Sequence, residues 1–183
     1  MNHDNPSSPR LWTSTPIHAS RLPGAENINA QILAAFSALK EDDFARRTHF
    51  LGGRFENLYL DRERLPAMAA VLAHAQSCAQ AILHADRQPL RLGFWFNAQG
   101  PGQDTSLHTH DEDDELLSGV YYVNVPAHSG RLVLLDGQLT VKLMPQPGQF
   151  LFFPPALPHR VEVNHSEEQR LSIAFNFGPA ELA

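Results

Sequence analysis

Five separated stretches of the chain decide its fold. They are Ser106-Leu107-His108-Thr109-His110, Ser118-Gly119-Val120-Tyr121-Tyr122-Val123-Asn124, Gly148-Gln149-Phe150-Leu151-Phe152-Phe153-Pro154, Pro158-His159-Arg160 and Arg170-Leu171-Ser172-Ile173-Ala174-Phe175. The runs are short, rich in aromatic and β-branched residues, and separated by Gly, Pro, Asn and Asp, which is how strands and their turns read. They also carry chemistry. On an extended segment side chains at i and i+2 share a face, so His108 and His110 can reach one ion. His159, 49 residues later, can supply a third ligand from a neighbouring strand. Three ligands on one face leave coordination positions open, as a catalytic iron site requires.

Arg170 follows His159 by eleven residues. If strands near 159–163 and 171–177 are antiparallel neighbours, a turn over 164–169 returns Arg170 to the level of His159. A guanidinium there can grip a carboxylate through two parallel hydrogen bonds. Ser172, two residues on, shares that face and can donate another. The plainer alternative is that Arg170 pairs with Glu162 or Glu167 across a hairpin, which contributes little if exposed.

Working outward, strands are expected near 91–97, 117–125, 131–135, 139–143, 149–153, 159–163 and 171–177, a spacing that suits a sandwich or barrel. Upstream, Leu11 to Leu22 reads as an early strand, with a turn at Pro23-Gly24. Ile28, Ile32, Leu33, Phe36 and Leu39 recur at helical spacing over about 26–41. A second helix is expected after Asp61 as N-cap, with Leu65, Met68, Val71, Leu72, Ala75, Cys78, Ile82 and Leu83 on its apolar face. Cys78 reads as a buried small hydrophobe there, and His74 and His84 fall on the surface or edge of the same helix. The expected fold is thus mainly β: a barrel or sandwich core with two N-terminal helices packed outside one sheet. Residues 1–9 read as a disordered N-terminus and 10–183 as a single domain, with helical support over about 26–85 and the β core over about 90–178.

The 183 residues suffice for one full core. A net charge of −6 argues against a general nucleic-acid or anionic-membrane surface, since either needs clustered Lys and Arg. The single cysteine rules out an intrachain disulfide and suits a reducing compartment. There is no apolar run approaching a membrane span and no secretory signal in Met1 to Arg10. A cytoplasmic protein is the expectation. Five consecutive acids, Asp111 to Glu115, read as a solvated loop; beside a cationic site they would also repel anions or favour a basic substrate.

The block over residues 106–177 resembles the Fe(II)/2-oxoglutarate-dependent oxygenases. Gly119 to Asn124 resembles the strand after the first metal ligands in their prolyl-hydroxylase-like branch. Gly148 to Arg160 resembles the approach to the distal histidine, and Arg170-Leu171-Ser172 resembles the R-x-S motif. Phe50-Leu51-Gly52-Gly53-Arg54-Phe55 and Phe94-Trp95-Phe96-Asn97 resemble a bacterial and phage subgroup that carries H-x-H and S-G-V-Y-Y-V elements. The resemblance implies a double-stranded β-helix (jelly-roll, cupin-like) core flanked by the two helices, and Fe(II), 2-oxoglutarate and O2 as cofactor and cosubstrates. It implies iron held by His108, His159 and a residue at position 110. Arg170 and Ser172 would bind the far carboxylate of 2-oxoglutarate, with Tyr122 adding its hydroxyl and Asn97 contacting cosubstrate or substrate. The implied substrate is a small or amino-acid-like molecule or a protein side chain, and an exposed strand edge leaves a homodimer open.

One departure matters. The wider family has H-x-D where this chain has His108-Thr109-His110. His110 can ligate, giving a three-histidine site; His110 can be the first ligand with Glu112 as a carboxylate second; or Asp111 or Asp113 can swing in. A cupin remains the alternative reading, with Glu115 after His110 and with Gly148, Pro154 and His159 echoing its second motif. Such a protein would be a dioxygenase without 2-oxoglutarate, an isomerase or a sensor. Arg170-x-Ser172 discriminates, because a cupin does not need it.

Overall fold

Strict period-two alternation gives the long strands two chemically different faces, and this places both the core and the site. The computed structural model describes residues 15–85, 88–111 and 113–180. The elements run β1 (His18–Arg21), α1 (Ala25–Ser37), β2 (Arg46–Leu51), β3 (Arg54–Tyr59), α2 (Met68–Ile82), β4 (Leu90–Gln99), β5 (Thr105–His108), β6 (Leu117–Asn124), β7 (Leu132–Asp136), β8 (Leu139–Leu143), β9 (Gln149–Phe153), β10 (His159–Val161) and β11 (Arg170–Pro179). A major antiparallel sheet has the order β1-β9-β6-β11-β4-β3-β2 and a minor sheet the order β5-β10-β7-β8. The two face each other as a jelly roll, with α1 and α2 packed on the outside of the major sheet.

On β11, Leu171, Ile173, Phe175 and Phe177 point outward and are fully buried under the helices. Phe96 of β4, Tyr121 of β6 and Phe150 and Phe152 of β9 join them, capped by Ile32 and Phe36 of α1 and Val71 and Ala75 of α2. The intervening residues face inward. Tyr122, Leu151 and Phe153 form a second cluster with Leu132 and Leu134 of the minor sheet, while Arg170, Ser172, Ala174 and Asn176 line a cavity between the sheets.

The seven core strands lie where the sequence places them, but the order of two differs. β10 and β11 are not neighbours: β10 lies between β5 and β7 in the minor sheet, and β11 between β4 and β6 in the major one. Arg170 therefore faces the histidines across the sandwich instead of returning beside His159 through a hairpin. The supposed partner Glu162 is engaged by Arg131 at 2.7 Å and Lys142 at 3.1 Å.

The helices are shorter than expected. α1 stops at Ser37, and residues 41–43 form a separate 3₁₀ turn. α2 begins at Met68, and Asp61 precedes only a 3₁₀ turn, Arg62–Arg64, without a side-chain cap. Pro66 explains the break, because a residue before proline is driven out of the helical region and Leu65 sits at φ −131°, ψ 84°. His84 lies beyond α2 with φ 52°, whereas His74 stacks on Phe150 and shares a hydrogen bond with Ser20. Cys78 is half-buried against the core. The early strand is realised as β1 alone; Leu11 to Ser14 and the N-terminus expected to be disordered lie outside the described residues.

The β2–β3 hairpin was not anticipated. It turns at Gly52-Gly53 and extends the major sheet past β4, so that it walls one side of the cavity. The core assignment predicts that Phe175→Ala will lower unfolding free energy by about 3–5 kcal/mol in a denaturant titration; a loss below about 1 kcal/mol would contradict the helix-covered face as the main core.

Candidate metal centre and anion site

His108 ends β5 and His159 opens β10, and the two residues are direct cross-strand partners. A cross-strand pair brings side chains on one face into contact, and these ring centroids lie 4.3 Å apart. His110 lies just past β5. Its backbone N–H donates to the Pro155 carbonyl at 2.9 Å, which turns its ring to within 4.9 Å of His108 and 5.1 Å of His159. One nitrogen from each ring lies within 4.8 Å of the others.

The hydrogen bonds of two rings fix which nitrogen faces inward. His108 Nδ1 lies 2.8 Å from the Ser106 carbonyl and His159 Nδ1 lies 2.9 Å from the Leu157 carbonyl. A carbonyl only accepts, so each Nδ1–H donates and Nε2 is left as the ring nitrogen that can face a metal. Burial, reinforced by His108, holds His159 down at about 3 and His110 at about 4. Both are therefore neutral at physiological pH, as metal ligation demands. Phe153 packs edge-on against His159 at 4.8 Å and Trp95 against His110 at 5.5 Å, limiting ring rotation.

The triad opens into a cavity of about 850 Å³ whose opposite wall carries Arg170, Ser172, Tyr122 and Asn97. Their faces are set by register: Ser172 lies between Asn97 of β4 and Tyr122 of β6. Arg170 is 1 % exposed. Its Nη1 donates to the carbonyls of Gly130, at 3.0 Å, and Ser129, at 3.4 Å, and its guanidinium carbon lies 5.2 Å from the Tyr122 ring centre. Its Nε and the Tyr122 hydroxyl, both buried, have no hydrogen-bond partner among the described residues. No carboxylate among those residues pairs with Arg170. Burial pushes its pKa down and that of Tyr122 up to about 12. The turn holding Arg170 needs a glycine: Gly130 has φ +89°, and a Cβ there would collide with the Glu162 backbone.

Asn97 lines the cavity, but its amide N–H groups donate to Glu56 O at 2.8 Å and Asn57 Oδ1 at 3.2 Å, pinning the hairpin to β4. Of the acidic loop, Asp113 and Glu115 line the cavity, whereas Glu112 lies outside the described residues. Among the described acids, Asp111, Asp113 and Glu115 do not join the group of close-set donors. Sequence reasoning missed the hairpin's share: Arg46, Tyr59 and Glu56 all face the cavity. Glu56 is a buried carboxylate raised by that burial against the pull of Arg54 at 3.3 Å. The Gly52-Gly53 turn between two β-rich runs was the available signal.

Similar structures share this architecture. A Pseudomonas putida prolyl-4-hydroxylase superposes with a TM-score of 0.69 at 20 % identity, over 91 % of this chain and 94 % of that one. The fold is that of the 2-oxoglutarate- and Fe(II)-dependent oxygenases. The epimerase SnoN of nogalamycin biosynthesis, described as α-ketoglutarate dependent, gives a TM-score of 0.70 at 17 % identity over 91 % and 78 % of the two chains. A Trichoplax adhaerens prolyl hydroxylase, in complex with a hypoxia-inducible-factor peptide, gives 0.67 at 14 % over 91 % and 84 %. Residues 135–176, from β7 into β11, match the family model described as "Putative 2OG-Fe(II) oxygenase". No curated relative matches in sequence.

Buried His159 and half-buried His110, both held neutral, make metal-free stability depend on pH. The unfolded chain takes up protons near the ordinary histidine value of 6.5, while His110 and His159 in the folded chain do so only near 4 and 3. Their favourable contribution is complete above about 6.5 and is lost as the pH falls towards 4. Metal-free protein should therefore melt at a lower temperature at pH 5 than at pH 7.5. His110→Gln/His159→Gln should flatten that slope, and an unchanged slope would place the protons elsewhere.

Proposed function

We propose that this protein is an Fe(II)- and 2-oxoglutarate-dependent dioxygenase that hydroxylates its substrate while 2-oxoglutarate is decarboxylated to succinate. The observation that carries this reading is Arg170, a buried guanidinium without a carboxylate partner among the described residues, facing the same cavity as three convergent histidines. A buried charge lacking a counter-charge is costly, and the far carboxylate of 2-oxoglutarate supplies one. The free Nε–H of Arg170 and the free hydroxyl of Tyr122 are unfilled donors suited to its oxygens, and Ser172 faces the same space. On the opposite wall, the lone pairs of His108 and His159, with His110, suit Fe(II).

Bound iron supplies the activation of O2 coupled to oxidation of the 2-oxo acid. The chain's own contribution is placement. Cross-strand pairing fixes two imidazoles, the Leu157 and Ser106 carbonyls fix their tautomers, and Phe153, Trp95 and Leu132 line the cavity with apolar surface. With histidine at position 110, the donor set carries no negative charge. Metal affinity is then expected to lean more on the bound dianion than in an H-x-D site. The cupin reading requires Glu115 as a ligand and leaves Arg170 without a role. The prime substrate would be a small or amino-acid-like molecule, or a protein side chain. Among the described residues no helix is long and apolar enough to cross a membrane, and a reducing cytoplasm suits an Fe(II) enzyme with one cysteine.

Calorimetric titration of 2-oxoglutarate onto Mn(II)-loaded protein, a redox-inert stand-in, tests the assignment. Arg170→Ala should weaken 2-oxoglutarate by about a hundredfold, as expected for a lost charge-assisted pair. Metal uptake should be little changed, which also reports that the variant folds. His159→Ala should abolish metal uptake. Equal 2-oxoglutarate affinity in Arg170→Ala would overturn the anchoring role.

A further inference from the structure

From the triad to the cavity mouth runs a continuous file of planar side chains. Trp95 meets His110 edge-on at 5.5 Å, Tyr59 lies 6.0 Å from Trp95, and the Arg46 guanidinium lies 4.0 Å over the Tyr59 ring. All four line the cavity. The file depends on the hairpin: Arg46 and Tyr59 are cross-strand partners on β2 and β3, so pairing stacks the guanidinium on the ring.

A guanidinium stacked through its face is held in orientation while its N–H groups, which lie in the plane, stay available. The other cations on this rim are engaged. Arg91 pairs with Asp114, and Arg62 donates to the Leu92 carbonyl at 3.1 Å. Arg46 forms no ion pair with any described residue. Glu56, Asp61, Glu63, Asp113 and Glu115 line the same cavity and would repel a polyanion, which favours a ligand with one carboxylate held directly at Arg46 over one with several.

We infer that Trp95, Tyr59 and Arg46 form the prime-substrate subsite. It takes a small molecule with an apolar or ring-bearing body along Trp95 and Tyr59, and a single carboxylate held in the plane of the Arg46 guanidinium. Calling that ligand the prime substrate rests on the dioxygenase reading; the binding preference itself does not. In this arrangement Arg46 determines specificity and Trp95 sets the distance of the substrate body from the metal centre.

Trp95 provides the readout. The chain's two tryptophans are Trp12 and Trp95, so in a Trp12→Phe background the fluorescence reports Trp95 alone. The probes are 3-phenylpropanoate and its neutral amide, titrated with saturating Mn(II) and 2-oxoglutarate and again without 2-oxoglutarate. The acid should bind at least about tenfold more tightly than the amide. Arg46→Gln should abolish that preference without changing 2-oxoglutarate affinity, and Arg46→Lys should restore only part of it. Equal binding of acid and amide, or no response to either, would overturn the inference. So would an acid preference that survives Arg46→Gln but disappears under saturating 2-oxoglutarate. That last result would put the carboxylate on Arg170, leaving the dioxygenase reading intact. Failure of 2-oxoglutarate to bind the unsubstituted protein would instead overturn the dioxygenase reading, separately from the acid preference.

Discussion

Arg170 is at once an almost wholly buried side chain of the inner wall and a permanent cation. Folding has removed its guanidinium from water and supplied only two backbone carbonyls in exchange, leaving Nε without a partner among the described residues. The surrounding structure serves to make that placement tolerable. Gly130 lets the turn approach closely enough to offer its carbonyl, Tyr122 offers a ring face, and β4 and β6 hold β11 on both sides. The covered face of the same strand, Leu171 to Phe177, packs under the helices, and that burial holds the charged face in place.

The triad on the minor sheet is arranged on the opposite electrostatic principle. Burial and the neighbouring rings keep His110 and His159 neutral, and backbone carbonyls orient His108 and His159. Arg170 thus faces three convergent imidazoles across one cavity. Under the proposed function, a dianion spanning the two would satisfy both, one end cancelling the Arg170 charge and the other lying with a metal held by the triad. With His110 as the second ligand adding no negative charge, that coupling between anion and metal would carry more weight than beside an aspartate.

Much of this was legible in the sequence because strand alternation is a local signal. Phe150-Leu151-Phe152-Phe153 and Leu171 to Phe177 fix their own faces, and His108-x-His110 fixes its own spacing. The order of strands in the sheets is not local. Nothing in residues 159–177 says that the turn between them crosses from one sheet to the other, so the route by which Arg170 reaches the cavity was misread although its destination was not. The hairpin was missed for a different reason: Arg46 and Tyr59 are individually ordinary surface-type residues, and only cross-strand pairing makes them a stacked pair. Helix starts failed where Pro66 overrode an attractive N-cap at Asp61.

The most direct measurement is an anaerobic titration of the unsubstituted protein with Fe(II) and 2-oxoglutarate, followed by visible absorption. The account predicts a weak charge-transfer band that needs both components together, since the 2-oxo acid must chelate iron held by the triad while Arg170 holds its far carboxylate. Tight iron binding without any band on adding 2-oxoglutarate would contradict it, and would leave a metal-binding barrel whose buried arginine serves some other anion.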